Sequence, residues 1–198
     1  MQSIVNNLLF CDTLDYDKNT KLVCLKMKQL TQNYYLRDIL ESDLEPIFLG
    51  LSHPEVIKYY GISYSSLEET KTQMQWFKNL EISGSGKWFA ICDLKTDEFL
   101  GAGGLNDLIE EHQKAEIGLW LLPQFWGKGI LQEVMPKIVA YGFNELQLHR
   151  IEGFVESENT KCRRAMAKTG FTYEGTMKDC EQKDGKWISL SVYAILNP

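Results

Sequence analysis

A strand, a glycine-containing loop and a helix follow one another in this 198-residue chain, and this unit constrains the fold most strongly. Residues 115–122 are mostly apolar and predict a buried central strand, which Pro123 ends. The loop at residues 124–129 has the pattern Gln-x-x-Gly-x-Gly. Apolar side chains then recur at helical spacing from Ile130 to Val139. A chain built around such a unit is expected to form a sheet with helices packed on it.

The loop has the features of an anion-binding site at the start of a helix. Gly127 and Gly129 let the backbone adopt positive φ and approach a bulky diphosphate. The free amides that follow, including those of Ile130 and Leu131, add to the partial positive charge of the helix N-terminus. Lys128 can supply a full positive charge. Two glycines before a helix are also typical of a plain tight turn, so the pattern alone leaves both interpretations open.

The spacing of the glycines excludes two nucleotide-binding loops. The phosphate loop of nucleoside triphosphatases requires GxxxxGK followed by Ser or Thr, which this loop lacks. The dinucleotide-binding fingerprint requires a third glycine, but Gln132 or Glu133 stands at that position. A glycine cluster at residues 101–104 lies in a predicted hairpin strand without a following helix, and we interpret it as structural.

The rest of the chain predicts a mixed α/β sheet. We predict strands at residues 34–39, 88–92, 99–105, 115–122, 151–155, 172–177 and 187–195. We predict helices that begin near residues 44, 56, 66, 130 and 159, with Gly170 as a left-handed stop after the last. Pro136 lies inside one predicted helix, where proline removes a backbone bond and usually costs about 3 kcal/mol or a kink.

The N-terminal part of the chain differs from the remainder. Residues 1–30 show little periodicity, apart from a short strand predicted at residues 22–27. We interpret residues 1–30 as an N-terminal extension and residues 31–198 as one domain with a single core.

The composition excludes several classes of protein. The hydrophobic fraction of 44% and the charged fraction of 24% are ordinary for a soluble globular protein, and no apolar run reaches the length of a membrane helix. Neither a secretory signal nor a CxxC pair is present, and the five cysteines and three histidines are scattered. We therefore expect no metal site, no disulfide framework, no membrane partner and a cytoplasmic location.

The charge is distributed unevenly along the chain. The net charge is -6, which argues against binding nucleic acid over a broad surface. Residues 124–170 carry seven basic side chains against five glutamates, a net of +2, so the rest of the chain has a net charge of -8. A basic segment in an acidic protein suits a polyanionic ligand, although an ordinary solvated helix face would show the same charge pattern.

The sequence AEIGLWLLPQFWGKG at residues 115–129 resembles the signature of the GNAT superfamily of N-acetyltransferases. It is most similar to the branch that acetylates the N-termini of ribosomal proteins. Further agreement comes, in the family's order, from LR at residues 36–37, SD at 42–43, HPEV at 53–56, Asn159, and KxGFxxEG at 168–175. The resemblance spans residues 33–196 and implies a single-domain α/β GNAT fold. Its mixed, mostly antiparallel twisted sheet would be flanked by helices and splayed between the central strands.

The resemblance implies acetyl-CoA as co-substrate and assigns roles in binding it. The main-chain groups of Trp120 and Leu121 would pair with the pantetheine arm, as an added strand would. The backbone amides that follow Gln124, at residues 127–131, would hold the pyrophosphate. The side chain of Asn159 would contact the coenzyme, although the same residue could be a plain helix N-cap.

The resemblance also implies how the reaction proceeds, by direct attack of a neutral amine on the thioester. Glu116 matches a position where some relatives carry a general base, with a surface or sheet-edge glutamate as the alternative. A backbone amide near Leu121 would stabilise the oxyanion. Relatives place the proton-donating hydroxyl at the positions of Met166 or Cys162. Met166 cannot donate a proton, so the thiol of Cys162 is the candidate acid, made more acidic by the helix start, unless it is a small core residue.

The resemblance leaves the acceptor open. The leading interpretation is transfer of an acetyl group to a primary amine, with a ribosomal-protein N-terminus or another protein α-amine favoured. The alternatives are a small amine or a polyamine, or a non-catalytic module that binds acyl-CoA. The aromatic stripe with Met74, Trp76 and Phe77 either lines the acceptor site or belongs to the core. The oligomeric state is also open, with the homodimer as the assembly common in the family.

Overall fold

The computed structural model of the protein describes residues 29–198, which contain one eight-stranded sheet and five α-helices. The strands are β1 (Gln29–Leu30), β2 (Tyr34–Asp38), β3 (Lys87–Asp93), β4 (Phe99–Ile109), β5 (Lys114–Leu121), β6 (Arg150–Glu156), β7 (Thr172–Lys183) and β8 (Lys186–Leu196). The helices are α1 (Leu44–Leu51), α2 (Pro54–Ile57), α3 (Leu67–Ser83), α4 (Ile130–Asn144) and α5 (Thr160–Lys168). The strand order is β1-β2-β3-β4-β5-β6-β8-β7.

The order of elements predicted from residue 34 onwards is confirmed. Helix α3 begins as its sequence predicts, because the Ser66 hydroxyl accepts a hydrogen bond from the amide of Glu69 at 3.2 Å. Gly170 has φ of +93° directly after α5, as expected for a left-handed stop. Helix α4 runs through Pro136, whose side chain is exposed, so water can reach the carbonyl that lacks its helical partner.

The last hairpin is longer than predicted. Strand β7 continues beyond residue 177 to Lys183, through polar residues that are exposed on both faces and show no alternation. The strands are joined at Asp184 and Gly185, whose φ angles of +50° and +74° fit a two-residue hairpin turn. Periodicity could not reveal this segment because neither of its faces is buried.

The sheet lies between two layers of helices. The ring of Phe89 in β3 contacts Tyr141 of α4, with ring centroids 5.2 Å apart. The preceding residue, Trp88, contacts Trp76 of α3 at 5.6 Å between centroids, so α3 covers the opposite face. Phe77 of α3 is buried in the same cluster, 5.5 Å from Trp88. The aromatic stripe of α3 therefore belongs to the core.

The two central strands separate, as predicted. Strands β5 and β6 are parallel and pair only where Lys114, Ala115 and Glu116 face residues 150–152. Beyond this point β5 stays paired with β4 as far as Leu121, and β6 stays paired with β8. A gap therefore opens between residues 117–121 of β5 and residues 153–156 of β6, and we call it the central gap.

The N-terminal boundary differs slightly from the predicted one. Gln29 pairs with Leu36 of β2, so the last two residues of the predicted extension already belong to the sheet. The strand predicted at residues 22–27 lies outside the described residues. Among residues 29–198, no helix combines the length and apolar character needed to cross a membrane.

Candidate active site

The backbone of β5 presents unpaired groups to the central gap. The amide of Leu122 donates to the carbonyl of Leu100 in β4 at 2.9 Å. Hydrogen-bonded pairs alternate along an antiparallel ladder, so Trp120 also directs its main-chain groups towards β4. Leu119 and Leu121 direct theirs into the gap. The main-chain groups of Leu121 therefore face the gap, whereas those of Trp120 face β4. The coenzyme contacts expected of both residues stay predictions.

Two tryptophans fix this region of β5. The side chain of Trp120 is 4% exposed and packs so closely on Gly50 of α1 that a β-carbon there would lie 2.1 Å from the ring. The indole nitrogen of Trp126 donates to the carbonyl of Leu121 at 2.8 Å and ties the glycine loop to the strand. The amide of Leu121 is left facing the gap. Sequence reasoning did not single out Trp126, because its role depends on how the loop folds back.

The glycine loop leaves its amides open. After a turn at Pro123–Phe125, Gly127 and Gly129 adopt φ of +75° and +79°. Gly129 is the N-cap of α4, and no side chain of residues 29–198 caps this helix start. Within the described part of the chain, no atom lies within 4 Å of the position where Gly127 would carry a β-carbon. The expected pyrophosphate therefore fits here, because helix amides and open space coincide.

The remaining loop residues take different positions. Gln124 and Lys128 are exposed, and the Lys128 ammonium lies 5.1 Å from the ring centre of Phe125. Ile130 is buried at 2% exposure and Leu131 is partly buried, so both can offer only their amides to a ligand.

The start of α5 lies beside the loop. The Lys161 ammonium is 5.5 Å from the ring centre of Trp126, so a second positive charge lies at this loop. Asn159 is the N-cap of α5, and its side-chain oxygen accepts from the amide of Cys162 at 3.1 Å. The N-cap interpretation of Asn159 is therefore confirmed, and its contact with a coenzyme stays a prediction.

The two positions considered for the acid are apolar in character. Burial raises the pKa of the Cys162 thiol to about 11, so the higher acidity expected at a helix start is wrong, because desolvation disfavours the thiolate. Met166 is buried beside the central gap. A β-carbon on Gly153 of β6 would lie 2.5 Å from the Met166 methyl and 3.3 Å from the Ile117 side chain of β5.

Glu116 occupies the last paired position before β5 and β6 separate. It lies opposite Glu152 of β6, in a central strand, so it is not a sheet-edge residue. Burial, reinforced by the negative charges of Asp107, Glu152 and Glu181, raises the pKa of Glu116 from 4.5 to about 7. No cation among the described residues offsets these effects. Such a carboxylate can accept a proton at neutral pH.

A cavity of about 350 Å³ lies next to Glu116. Its walls come from the segment after α2, from the end of β6 and from the β7–β8 hairpin, and they include Tyr59, Phe154, Glu156, Glu181 and Lys183. Sequence reasoning missed Glu181 and Lys183 because the outer half of the hairpin was not predicted. The Asp184-Gly185 pair was the signal for its turn.

Comparison with known proteins shows which family this chain resembles. A family model described as an acetyltransferase (GNAT) domain matches residues 33–172. The uncharacterized N-acetyltransferase YoaA of Bacillus subtilis is 34% identical over 169 residues, which are 85% of this chain and 96% of YoaA.

Two solved structures with bound ligands share the fold. RimL, a ribosomal L7/L12 alpha-N-protein acetyltransferase in complex with coenzyme A, superposes with a TM-score of 0.77 and 22% identity, covering 85% of this chain and 96% of RimL. The spermidine N-acetyltransferase of Vibrio cholerae, in complex with coenzyme A and spermine, gives a TM-score of 0.74 and 22% identity, covering 82% of this chain and 95% of that one.

Proposed function

This chain belongs to the GNAT family and is an acetyl-CoA-dependent N-acetyltransferase, and we propose that its acceptor is a protein α-amine. The observation that carries the proposal is Glu116, a carboxylate with a pKa of about 7 that borders a cavity at the point where β5 and β6 separate. A small amine or a polyamine is the alternative acceptor.

The donor is held mainly by main-chain groups. The amides at the start of α4, opened by Gly127 and Gly129, bind the pyrophosphate, and Lys128 and Lys161 add positive charge beside it. Leu119 and Leu121 face the central gap, where the pantetheine arm takes the place of a paired strand. Acetyl-CoA supplies the acetyl group as a thioester.

Glu116 prepares the acceptor amine. An amine arrives as an ammonium ion at neutral pH, and it must lose a proton before its lone pair can attack the acetyl carbon. Glu116 accepts this proton, because its pKa of about 7 leaves about half of the carboxyl groups ionised at neutral pH. The amide of Leu121 faces the central gap near the glycine loop, and it can donate a hydrogen bond to the developing oxyanion.

Cys162 is the proposed proton donor to the departing thiolate. Its raised pKa of about 11 keeps the thiol protonated throughout the neutral range. Transfer from this thiol to a thiolate of ordinary pKa is uphill by about 3 kcal/mol. Cys162 therefore supports the reaction weakly, whereas Glu116 carries the larger part of the proton chemistry.

The cavity supports a compact acceptor with one charge. Its volume of about 350 Å³ is at the lower end of the range for small-molecule sites, enough for one amino-terminal residue. RimL, whose name records a protein α-amine as substrate, shares the fold and gives a precedent for such an acceptor. The spermidine enzyme of the same fold gives a precedent for the alternative.

The acceptor can be tested with three matched amines. We expect thiol release from acetyl-CoA with a short peptide that has a free N-terminus, and mass spectrometry should find the acetyl group on its α-amine. The same peptide with a blocked N-terminus is the control. Turnover with spermidine but with neither peptide would contradict the preference for a protein α-amine and favour the alternative.

A further inference from the structure

Lys183 holds the tip of the last hairpin against the body of the protein. It lies at the end of β7, opposite Lys186 across the turn. Strand β8 pairs with β6 only from Leu190 onwards, so the outer part of the hairpin has no strand neighbour beyond β7 and β8 themselves. The Lys183 ammonium contacts the carboxylate of Glu156 and donates to the carbonyl of Lys58, which precedes the cavity residue Tyr59.

The same ammonium sets the charge of the cavity. Three carboxylates line it, those of Glu116, Glu156 and Glu181, and Lys183 is the one basic side chain among the described residues of its wall. Lys183 and Glu156 are largely shielded from water, with side-chain exposures of 23% and 15%, so their pairing is weakly screened. Glu156 is thereby neutralised, and Glu181 and Glu116 are left to face a ligand.

The reacting amine of the acceptor interacts with Glu116, one of the two carboxylates that Lys183 does not neutralise. Glu116 takes the proton that the incoming ammonium loses, so it cannot also hold a second ammonium of the same acceptor. Glu181 is exposed, so water screens its attraction for a second ammonium. To use the shielded Glu156, a second ammonium would have to displace Lys183 or lie next to the Lys183 ammonium. Both are unfavourable in a partly desolvated site, because like charges repel strongly there.

We infer that Lys183 determines acceptor specificity by occupying, on Glu156, the place that a second ammonium would take, so that the cavity selects amines with one positive charge. This inference rests on the proposed function and narrows its acceptor class to monoamines, a class that includes a protein α-amine without nearby cations. The alternative polyamine acceptor is disfavoured by the same contact.

Two probes that differ by one amino group, and so by one positive charge, test this role. Putrescine is butylamine with a second amino group, so the ratio of their affinities isolates the effect of the second charge. We expect the Lys183→Gln variant, saturated with coenzyme A, to bind putrescine about tenfold more tightly relative to butylamine than the wild type does, as measured by calorimetry. Binding is measured at equilibrium, so the result does not depend on turnover.

The control is Lys186→Gln, which removes the same charge from the other strand of the hairpin. Within residues 29–198 the Lys186 side chain makes no ion pair or side-chain hydrogen bond, and we expect this variant to keep the wild-type ratio. The double variant Lys183→Gln/Glu156→Gln should return the ratio towards that of the wild type, because the carboxylate that accepts the second ammonium is then missing.

A second single variant tests the same contact from the side of Glu156, and the expected change has the opposite sign. Glu156→Gln leaves the Lys183 ammonium unpaired in the cavity and should weaken putrescine binding more than butylamine binding. The inference is wrong if Lys183→Gln leaves the ratio unchanged or shifts it no more than Lys186→Gln does. Failure of the wild type to acetylate any amine would instead contradict the proposed function, and the affinity ratios would still report on Lys183.

Discussion

Two acidic regions meet at the last paired position of β5 and β6, and they have opposite electrostatic character. On the β6 side, Glu152 accepts from Arg150 at 2.7 Å and from Lys114 at 3.1 Å. Burial by itself would raise the pKa of Glu152, but these hydrogen bonds outweigh it and the pKa is lowered. On the β5 side, burial and neighbouring carboxylates raise the pKa of Glu116 to about 7.

The difference shows how a structural carboxylate and the proposed base differ in this protein. Glu152 belongs to a network that continues from Arg150 to Glu174, and its negative charge is held in place at neutral pH. Glu116 has the same chemical group one strand away, but none of the described residues places a cation beside it, so its proton is exchangeable near neutral pH. Burial acts to raise the pKa of both glutamates, and the cations beside Glu152 reverse that effect there.

The largest expected effect comes from removing the reactive carboxylate. Glu116→Gln should lower kcat/KM by about 10²- to 10⁴-fold, the usual range for loss of a general base. In the wild type, kcat/KM for an amine of high pKa should rise up to a pH of about 7 and then level off, as Glu116 ionises.

In the Glu116→Gln variant the remaining rate should keep rising with pH, because only amine that is already neutral can react. Glu152→Gln is the control at the opposing position on β6. Its profile should still level off, but at a lower pH than in the wild type, because one of the charges that raise the pKa of Glu116 is gone. If Glu116→Gln also levelled off near pH 7, the base would have to be another group.

Substitution of Glu116 and substitution of Glu152 should change the free energy of unfolding in opposite directions. The pKa of Glu116 is raised in the folded state, so its favourable contribution is present below pH 4.5 and is lost as the pH rises through about 7. Allowing for partial exposure, Glu116→Gln should therefore stabilise the protein by about 1 to 2 kcal/mol near pH 8 and change little near pH 4.

Glu152 should behave in the opposite way. Its pKa is lowered by Arg150 and Lys114 against the effect of burial, so its contribution is present at neutral pH and is lost as the pH falls through the lowered value. Glu152→Gln should cost about 1 to 2 kcal/mol near pH 8, with a smaller loss in acid. Chemical denaturation at the two pH values measures both variants, and equal signs would refute the contrast.

The smallest expected effect concerns the thiol at the start of α5. Because the pKa of Cys162 is raised to about 11, it donates a proton reluctantly, and Cys162→Ala should lower kcat by less than about tenfold. The affinity for acetyl-CoA should stay unchanged, as measured by calorimetry. Cys180→Ala removes an exposed thiol from β7 and is the control. A loss as large as that of Glu116→Gln would make Cys162 an equal partner in the chemistry.

Much of the fold could be predicted from the sequence because its signals are local. Helical spacing placed α4, Ser66 and Glu69 marked the start of α3, and the glycines at residues 127 and 129 marked a loop with positive φ. The outer half of β7 carried no such signal, because a strand exposed on both faces has no alternation. Because this segment was not predicted, the acidic wall that it contributes to the cavity was not predicted either.

The sequence by itself determined the shape of the glycine loop, since glycines, helix amides and an apolar strand need only their neighbours along the chain to form an open helix start. Tertiary structure decided the chemistry of the individual side chains. The register with β4 turned the main chain of Trp120 away from the gap, and burial made Cys162 a weaker acid. The pKa of Glu116 depends on burial and on nearby charges, of which Glu152 and Glu181 are distant in sequence. Desolvation and charge act through space, so they exist only once the strands and hairpin have come together.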